Sequence, residues 1–213
     1  LPLFPEVRAG KSLTALYALN LAGVGKVRIF TSAFARSVHW QEEILKVYKK
    51  DPGVLIVDSI DKIRSYINDP DLQKRVKIVV MSYEMVAQAQ AHEYWDDLVK
   101  FSHMFAPEGD IVDEVHLCRN SNSKTAKGVL DLVRKAEKQL KKQDIHRQNY
   151  IVAPTATPLV NGPRDLNWLM HAMYPWEFPQ ADSFYQMCLR NPQLAYTSLN
   201  LSGAVRWSRS DIF

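Results

Sequence analysis

Five short apolar runs, rich in β-branched residues, recur along this chain: KVRIFT (26–31), VLIVD (54–58), KIVVMS (77–82), DIVDE (110–114) and YIVAP (150–154). None alternates strictly between apolar and polar residues. A strand with one wet face must alternate, because successive side chains point to opposite sides of a sheet. Runs apolar at nearly every position suit strands covered on both faces. Helical spacing appears beside and between them, at SLTALYALNLA (12–22), SVHWQEEILKVYKK (37–50), SYEMVAQAQAHEYWDDLVKF (82–101) and KTAKGVLDLVRKAEKQLKK (124–142). Strand–helix alternation of this kind predicts an α/β fold, a predominantly parallel sheet with helices on both faces.

The size allows such a sheet. A chain of 213 residues and 24.4 kDa fits one sizeable α/β domain, with or without a small appendage. Hydrophobic residues at 46% and five Trp supply a core, and 23% charged residues exclude global disorder. From Pro163 onward the chain turns rich in Trp, Tyr, Pro and Asn, with helices expected at 163–173 and 180–190. Residues 1–175 are therefore expected to form the lobe, and 176–213 a helical appendage or connector. The two cysteines, Cys118 and Cys188, form no disulfide framework and suggest a reducing compartment. The opening LPLFPEVRAGKS has neither the basic nor the apolar region of a signal peptide. No apolar run reaches the roughly 18 residues of a membrane span, so no membrane partner is expected.

Ligands of parallel α/β sheets sit beyond the carboxyl ends of the strands. Gly10-Lys11-Ser12 opens the first predicted helix. A helix N-terminus offers free N–H groups and a positive dipole, which suit phosphate. Lys11 would reach the β- and γ-phosphates and Ser12 would hold Mg²⁺. The full phosphate-loop pattern wants a Gly where Pro5 stands, and a bare GKS also reads as a helix start with a Ser cap. Asp113-Glu114-Val115-His116 closes the run DIVDE. Adjacent acids at the end of a buried strand are costly unless something uses them. In phosphoryl transfer Asp113 would orient Mg²⁺ through water, and Glu114 would position and deprotonate the attacking water. The competing reading is a strand end with ordinary surface acids.

Thr155-Ala156-Thr157-Pro158 follows YIVAP and brings two hydroxyls to another strand end; alone it reads as a turn. Residues 119–147 hold nine Lys/Arg against three Asp/Glu, more than the whole chain's net +4. That excess suits phosphate contacts, or simply a solvated helix face. Trp40 and Tyr83 read as core. Other chemistries fit poorly: neither cysteine sits in CxxC, and His92-Glu93 meets Asp96 where a zinc-protease helix needs a second His.

Taken in order, these motifs resemble the first RecA-like lobe of Swi/Snf-type helicase-like ATPases, within helicase superfamily two. LFPEVRAGKSLTALYAL is similar to the family's "LADEMGLGKT" box through Glu6, Gly10 and Lys11. VRIFTSAFARSVHWQEEI is similar to the next box through Ser32, Trp40, Glu43 and Ile44. IVVMSYEMV resembles "VVITSYETL" through Ser82, Tyr83 and Glu84. IVDEVHLCRNSNSKTAK resembles "LDEAHRIKNxxSK" through Asp113, Glu114, His116, Asn120, Ser123 and Lys124. VAPTATPLVNGPRDLNWLMHAMYP resembles the box that follows, through Thr155, Thr157, Pro158, Leu159, Asn161, Leu166, Trp168 and Pro175.

The resemblance spans residues 3 to about 186. It implies a three-layer α-β-α RecA-like (P-loop NTPase) lobe, and an ATPase driven by double-stranded DNA, often one that remodels chromatin in the nucleus. Gly10, Lys11, Ser12 and His116 would bind ATP; Ser12 and Asp113 would hold Mg²⁺; Asp113 and Glu114 would support hydrolysis. Thr155 and Thr157 would couple hydrolysis to DNA, and Ser32, Ser82 and Asn120 would face the DNA. The implied cofactors are ATP and Mg²⁺; the implied partners are double-stranded DNA, a second RecA-like lobe and a larger protein complex. Without the second lobe's arginines, hydrolysis by this lobe alone would be negligible. Four positions depart from the family pattern: Pro5, Arg8, Thr31 and Ala156. Arg8 replaces a Gly where the backbone must wrap phosphate closely, and Pro5 removes an N–H from the turn. A degenerate, non-hydrolysing lobe that serves as a nucleic-acid or protein interaction module is the alternative.

Overall fold

The structure, a computed structural model, describes residues 2–3, 10–36, 38–48, 50–144, 149–155, 163–180 and 182–190. Six strands are described: β1 (Pro2–Leu3), β2 (Val27–Thr31), β3 (Val54–Val57), β4 (Ile78–Ser82), β5 (Gly109–Val112) and β6 (Tyr150–Pro154). They lie in the order β1-β6-β5-β2-β4-β3, and every pair is parallel. The expectation of a parallel sheet covered on both faces is met.

The strand order decides which helix covers which face. Going β1 to β2 to β3 the chain steps one way across the sheet; from β3 onward it steps back. Right-handed crossovers place the connections of opposite steps on opposite faces. Accordingly α1 (Lys11–Leu21) and α3 (Val38–Tyr48) share one face, where Leu16, Leu19, Trp40 and Ile44 pack on Ile29, Val80 and Ile111. The other face carries α4 (Ile60–Asn68), α5 (Pro70–Arg75), α6 (Tyr83–Ala91), α7 (Trp95–Phe105) and α8 (Lys124–Gln143). There Ile63, Tyr66, Phe101 and Leu132 pack on Phe30, Val79, Met81 and Val112. Alternate residues of each strand thus feed two separate cores, and that is why the runs look apolar throughout. Beyond β6 come a 3-10 turn (Pro163–Leu166), α9 (Asn167–Met173) and α10 (Ser183–Arg190), joined to the second core through Trp168, Leu169 and Phe184.

Several boundaries differ from the sequence expectation. The run 110–114 is a strand only to Val112: Asp113 N–H closes the ladder on Phe30 O at 2.9 Å, and Glu114 then turns left-handed at φ 49°. The run 82–101 is two helices, parted where His92 goes extended at φ −129°, ψ 175°. The run 37–50 is preceded by a short α2 (Ala33–Arg36). No helix is read from the sequence at 60–75, yet α4 and α5 form there. Asp69 separates them, capping the Asp71 and Leu72 N–H groups ahead of Pro70 in the first turn. Among the described residues no helix is long and apolar enough to cross a membrane.

Candidate functional site

The carboxyl ends of β2, β5 and β6 and the N-terminus of α1 meet at one place. The α1 helix starts at Gly10, left-handed at φ 73° and exposed, a conformation glycine adopts without Cβ strain. Gly10 brings no capping side chain, so the first N–H groups of α1 present their partial positive charge. Lys11 points from this end into an ion pair with Glu114. Burial pushes the Lys11 ammonium below its usual range, and nearby Asp113 opposes that shift. Ser12 is 5% exposed, and its Oγ lies 3.1 Å from His39 Nε2 on α3.

Asp113 follows β5 and is 4% exposed. Thr31, at the end of neighbouring β2, donates its hydroxyl to Asp113 Oδ2 at 3.1 Å, and the buried Tyr83 hydroxyl donates to the Asp113 carbonyl. Burial raises the Asp113 carboxyl above its usual range; Lys11, the Thr31 hydroxyl, His39 and the Trp40 indole pull it back. The Trp40 N–H is near enough to favour the charged carboxylate but short of hydrogen-bond geometry. Trp40 Nε1 and Asp113 Oδ1 are thus both buried without a hydrogen-bond partner among the described residues.

The left-handed backbone at Glu114 costs a non-glycine residue roughly 1–2 kcal/mol. The turn that contains it aims one carboxylate at two partners, Lys11 and His116 Nδ1, the latter at 3.2 Å from Oε2. His116 sits in a 3-10 turn (Val115–Cys118) and also meets the buried Thr155 Oγ1 at 3.0 Å. Burial, Lys11 and Arg119 hold the imidazole below its usual range, against Asp113. Lys11, Glu114, His116 and Thr155 therefore form a polar chain across the ends of β5 and β6.

The remaining sequence-derived residues lie around this chain. Ser32 Oγ accepts from Ala35 N–H, and the buried Ser82 Oγ accepts from Met85 N–H to cap α6. Asn120 is exposed and lines a separate cleft of about 650 Å³ with Arg119, Asn122, Arg164, Asn167 and Tyr185. Thr157, Ala156, Pro5 and Arg8 lie outside the described residues. Sequence reasoning missed the site roles of Thr31, His39, Trp40 and Tyr83. A hydroxyl closing the apolar run VRIF is a faint signal for Thr31; Trp40 and Tyr83 are core as expected, and their polar atoms turn toward Asp113 as well.

A nucleotide with Mg²⁺ fits what is present. The site offers a helix N-terminus, an ammonium, a buried hydroxyl and a buried carboxylate oxygen with an unmet lone pair. Among the described residues no group of three or more His, Cys, Asp or Glu could hold a metal alone. One or two protein oxygens completed by phosphates is how Mg²⁺ is commonly bound.

The SNF2-related domain family matches residues 35–203. The chain belongs to that family. The matched region covers the Asp113-Glu114 turn, His116 and Thr155, and begins after Gly10, Lys11, Ser12 and Ser32. No curated protein matches at a significant level. Among solved structures, the fold of this SNF2-related chain is similar to the Sulfolobus solfataricus SWI2/SNF2 ATPase core in complex with dsDNA, with TM-score 0.68 and 16% identity, over 98% of this chain and 40% of that one. It is also similar to the Pyrococcus furiosus Hef helicase domain, with TM-score 0.55 and 16% identity, over 79% of this chain and 32% of that one. At such identities the likeness shows the fold, a RecA-like α/β lobe. The SNF2-related chain spans well under half the length of either.

Proposed function

We propose that this chain is the nucleotide-binding first lobe of a DNA-dependent ATPase of the chromatin-remodelling type, with residues 1–175 as the lobe and 176–213 as the connector toward a second one. One observation carries the reading: Lys11 and Ser12, at the start of α1, face Asp113-Glu114 at the end of β5, within ion-pair contact. Bound Mg²⁺ would neutralise charge on the phosphates. Lys11 would leave Glu114 for those phosphates, and the freed Glu114 carboxylate would hold and deprotonate the attacking water. Ser12 and Asp113 would hold the cation, and His116 would carry the change at Glu114 to Thr155. The Sulfolobus relative was solved with dsDNA, which supports duplex DNA as the track. Ser32 would then sit near the DNA, Ser82 would fix the α6 start beneath it, and Thr157 would join Thr155 in coupling. Alone the lobe would turn ATP over negligibly, and a nuclear complex would supply the rest.

The alternative is a degenerate lobe that binds partners without nucleotide. It draws support from the sequence of the phosphate loop, where Pro5 and Arg8 replace residues that favour close phosphate contact. Titration with a fluorescent ATP analogue and Mg²⁺ separates the two. Losing a charged phosphate contact of about 1.5–3 kcal/mol should weaken binding by Lys11→Ala roughly 10- to 100-fold. An equal signal from both proteins would favour the degenerate lobe.

A further inference from the structure

We infer that His39 is a positioning residue for Ser12: its Nε2 accepts the Ser12 hydroxyl proton and turns the oxygen lone pairs toward the place of a divalent cation. The inference rests on the nucleotide-site reading above and extends it to a residue on α3.

A hydroxyl has one proton and two lone pairs. Thr14, two residues along α1, spends its proton locally on Gly10 O at 3.0 Å. Ser12 does not; its partner is His39 Nε2, 27 residues away. Two arrangements satisfy that 3.1 Å contact. If Nε2 carries the proton, Ser12 accepts from it, spends one lone pair, and must aim its own proton elsewhere. One lone pair then remains for a cation, and the hydroxyl proton competes with it for the space around the oxygen. If Nε2 is bare, Ser12 donates to it and both lone pairs stay available to Mg²⁺, which demands close oxygen contact near 2.0–2.1 Å. The second arrangement suits Ser12 as a ligand better, because both lone pairs stay free for the cation. It puts the imidazole proton on Nδ1, on a ring exposed to solvent.

One side of the ring has a packing partner. His39 lies edge-on to Trp40, with centroids 6.0 Å apart at 71°, and Trp40 is fully buried in the core that α1 and α3 share. The spacing of those two helices therefore sets the His39–Ser12 distance. Residues that orient a metal ligand in this way typically change metal affinity 10- to 100-fold when lost.

Binding of ADP by the 213-residue chain, measured by calorimetry with Mg²⁺ and again with EDTA, tests this in wild type, His39→Leu and His39→Gln. His39→Leu should weaken binding about tenfold with Mg²⁺ and less than about twofold without it. His39→Gln, whose amide oxygen can accept the same proton, should restore most of the loss. Equal weakening with and without Mg²⁺, or no weakening, overturns the inference while leaving the nucleotide site standing. Absence of ADP binding by the wild type overturns both. A second readout needs no metal: imidazole nitrogen NMR of the nucleotide-free protein should show His39 protonated at Nδ1. Protonation at Nε2 would overturn the assignment.

Discussion

Asp113 is a carboxylate folded into the end of an apolar sheet, with one oxygen bonded to Thr31 and the other without a hydrogen-bond partner among the described residues. Burial raises its pKa, so the native carboxyl holds its proton to higher pH than the unfolded one, whose usual value is 3.8. The native state therefore binds more protons just above that value. Stability falls as pH rises through that window, and the cost stays constant above it. Asp113→Asn removes the ionised form and keeps an acceptor for Thr31. At about pH 7 the variant should be more stable than wild type by roughly 1 kcal/mol in urea melts, in the range of single stabilising substitutions. The advantage should shrink as the pH is lowered toward the ordinary carboxylate range, because the raised native pKa returns the proton to wild-type Asp113 before the unfolded chain takes one up. A variant less stable than wild type at neutral pH would show that the carboxylate is structural. Much of this site is legible at the residue scale, because acids at a buried strand end and a lysine at a helix start are conspicuous. The surroundings of Asp113 are not, since Thr31, Trp40 and Tyr83 are ordinary strand-end and core residues until the sheet aligns them.

At the scale of elements, α8 illustrates a choice that propensity opposes. Gly128 lies within α8, where glycine costs about 1 kcal/mol relative to alanine. A Cβ there would stand 2.6 Å from Val86 Cγ1 on α6. The glycine lets α6 and α8 approach closely, and α8 begins just past the turn that holds His116. Its first turn in turn holds α9, through Trp168 Nε1 donating to Ala126 O at 2.8 Å. Gly128→Ala should therefore destabilise, against its helix propensity, by about 1–3 kcal/mol. Adding Val86→Ala should recover part of that loss, as a thermal-melt double-mutant cycle would show; strict additivity would remove the steric account. The exposed side of α8 carries the basic excess, with Lys135–Asp131 and Lys141–Glu137 pairs one helical turn apart. The helices are legible from their spacing, whereas the break at His92 and the start at Ala33 are not, because tertiary packing sets helix ends.

At the scale of the whole molecule, a buried ion pair sets the register on which the site depends. Arg28 and Asp110 are direct partners across β2 and β5, fully buried, with Nε to Oδ1 at 2.7 Å and Nη2 to Oδ2 at 3.0 Å. Ser102 and Asn149 complete the network. Three residues further along each strand, Thr31 meets Asp113. A slip of one residue would reverse every side chain of β5 and take Asp113 away from α1. Arg28→Met alone should cost about 3–5 kcal/mol by leaving Asp110 buried without its cation, whereas Arg28→Met with Asp110→Leu should recover most of it. If the double variant keeps its stability but loses nucleotide binding, the pair serves register. If Arg28→Met alone is mild, the pair holds neither the stability nor the register of the sheet.

The sequence by itself determined the fold class, because short runs apolar at nearly every position, alternating with helical spacing, suit strands covered on both faces. It also determined the family, because five motifs stand in order and adjacent acids follow a buried strand. The tertiary structure decided what those residues touch. Strand order and right-handed crossovers bring α1 to the end of β5, and register sets Thr31 against Asp113. The shared packing of α1 and α3 brings His39 to Ser12. These contacts join residues 27 to 103 positions apart, and local pattern has no means of expressing distances of that kind.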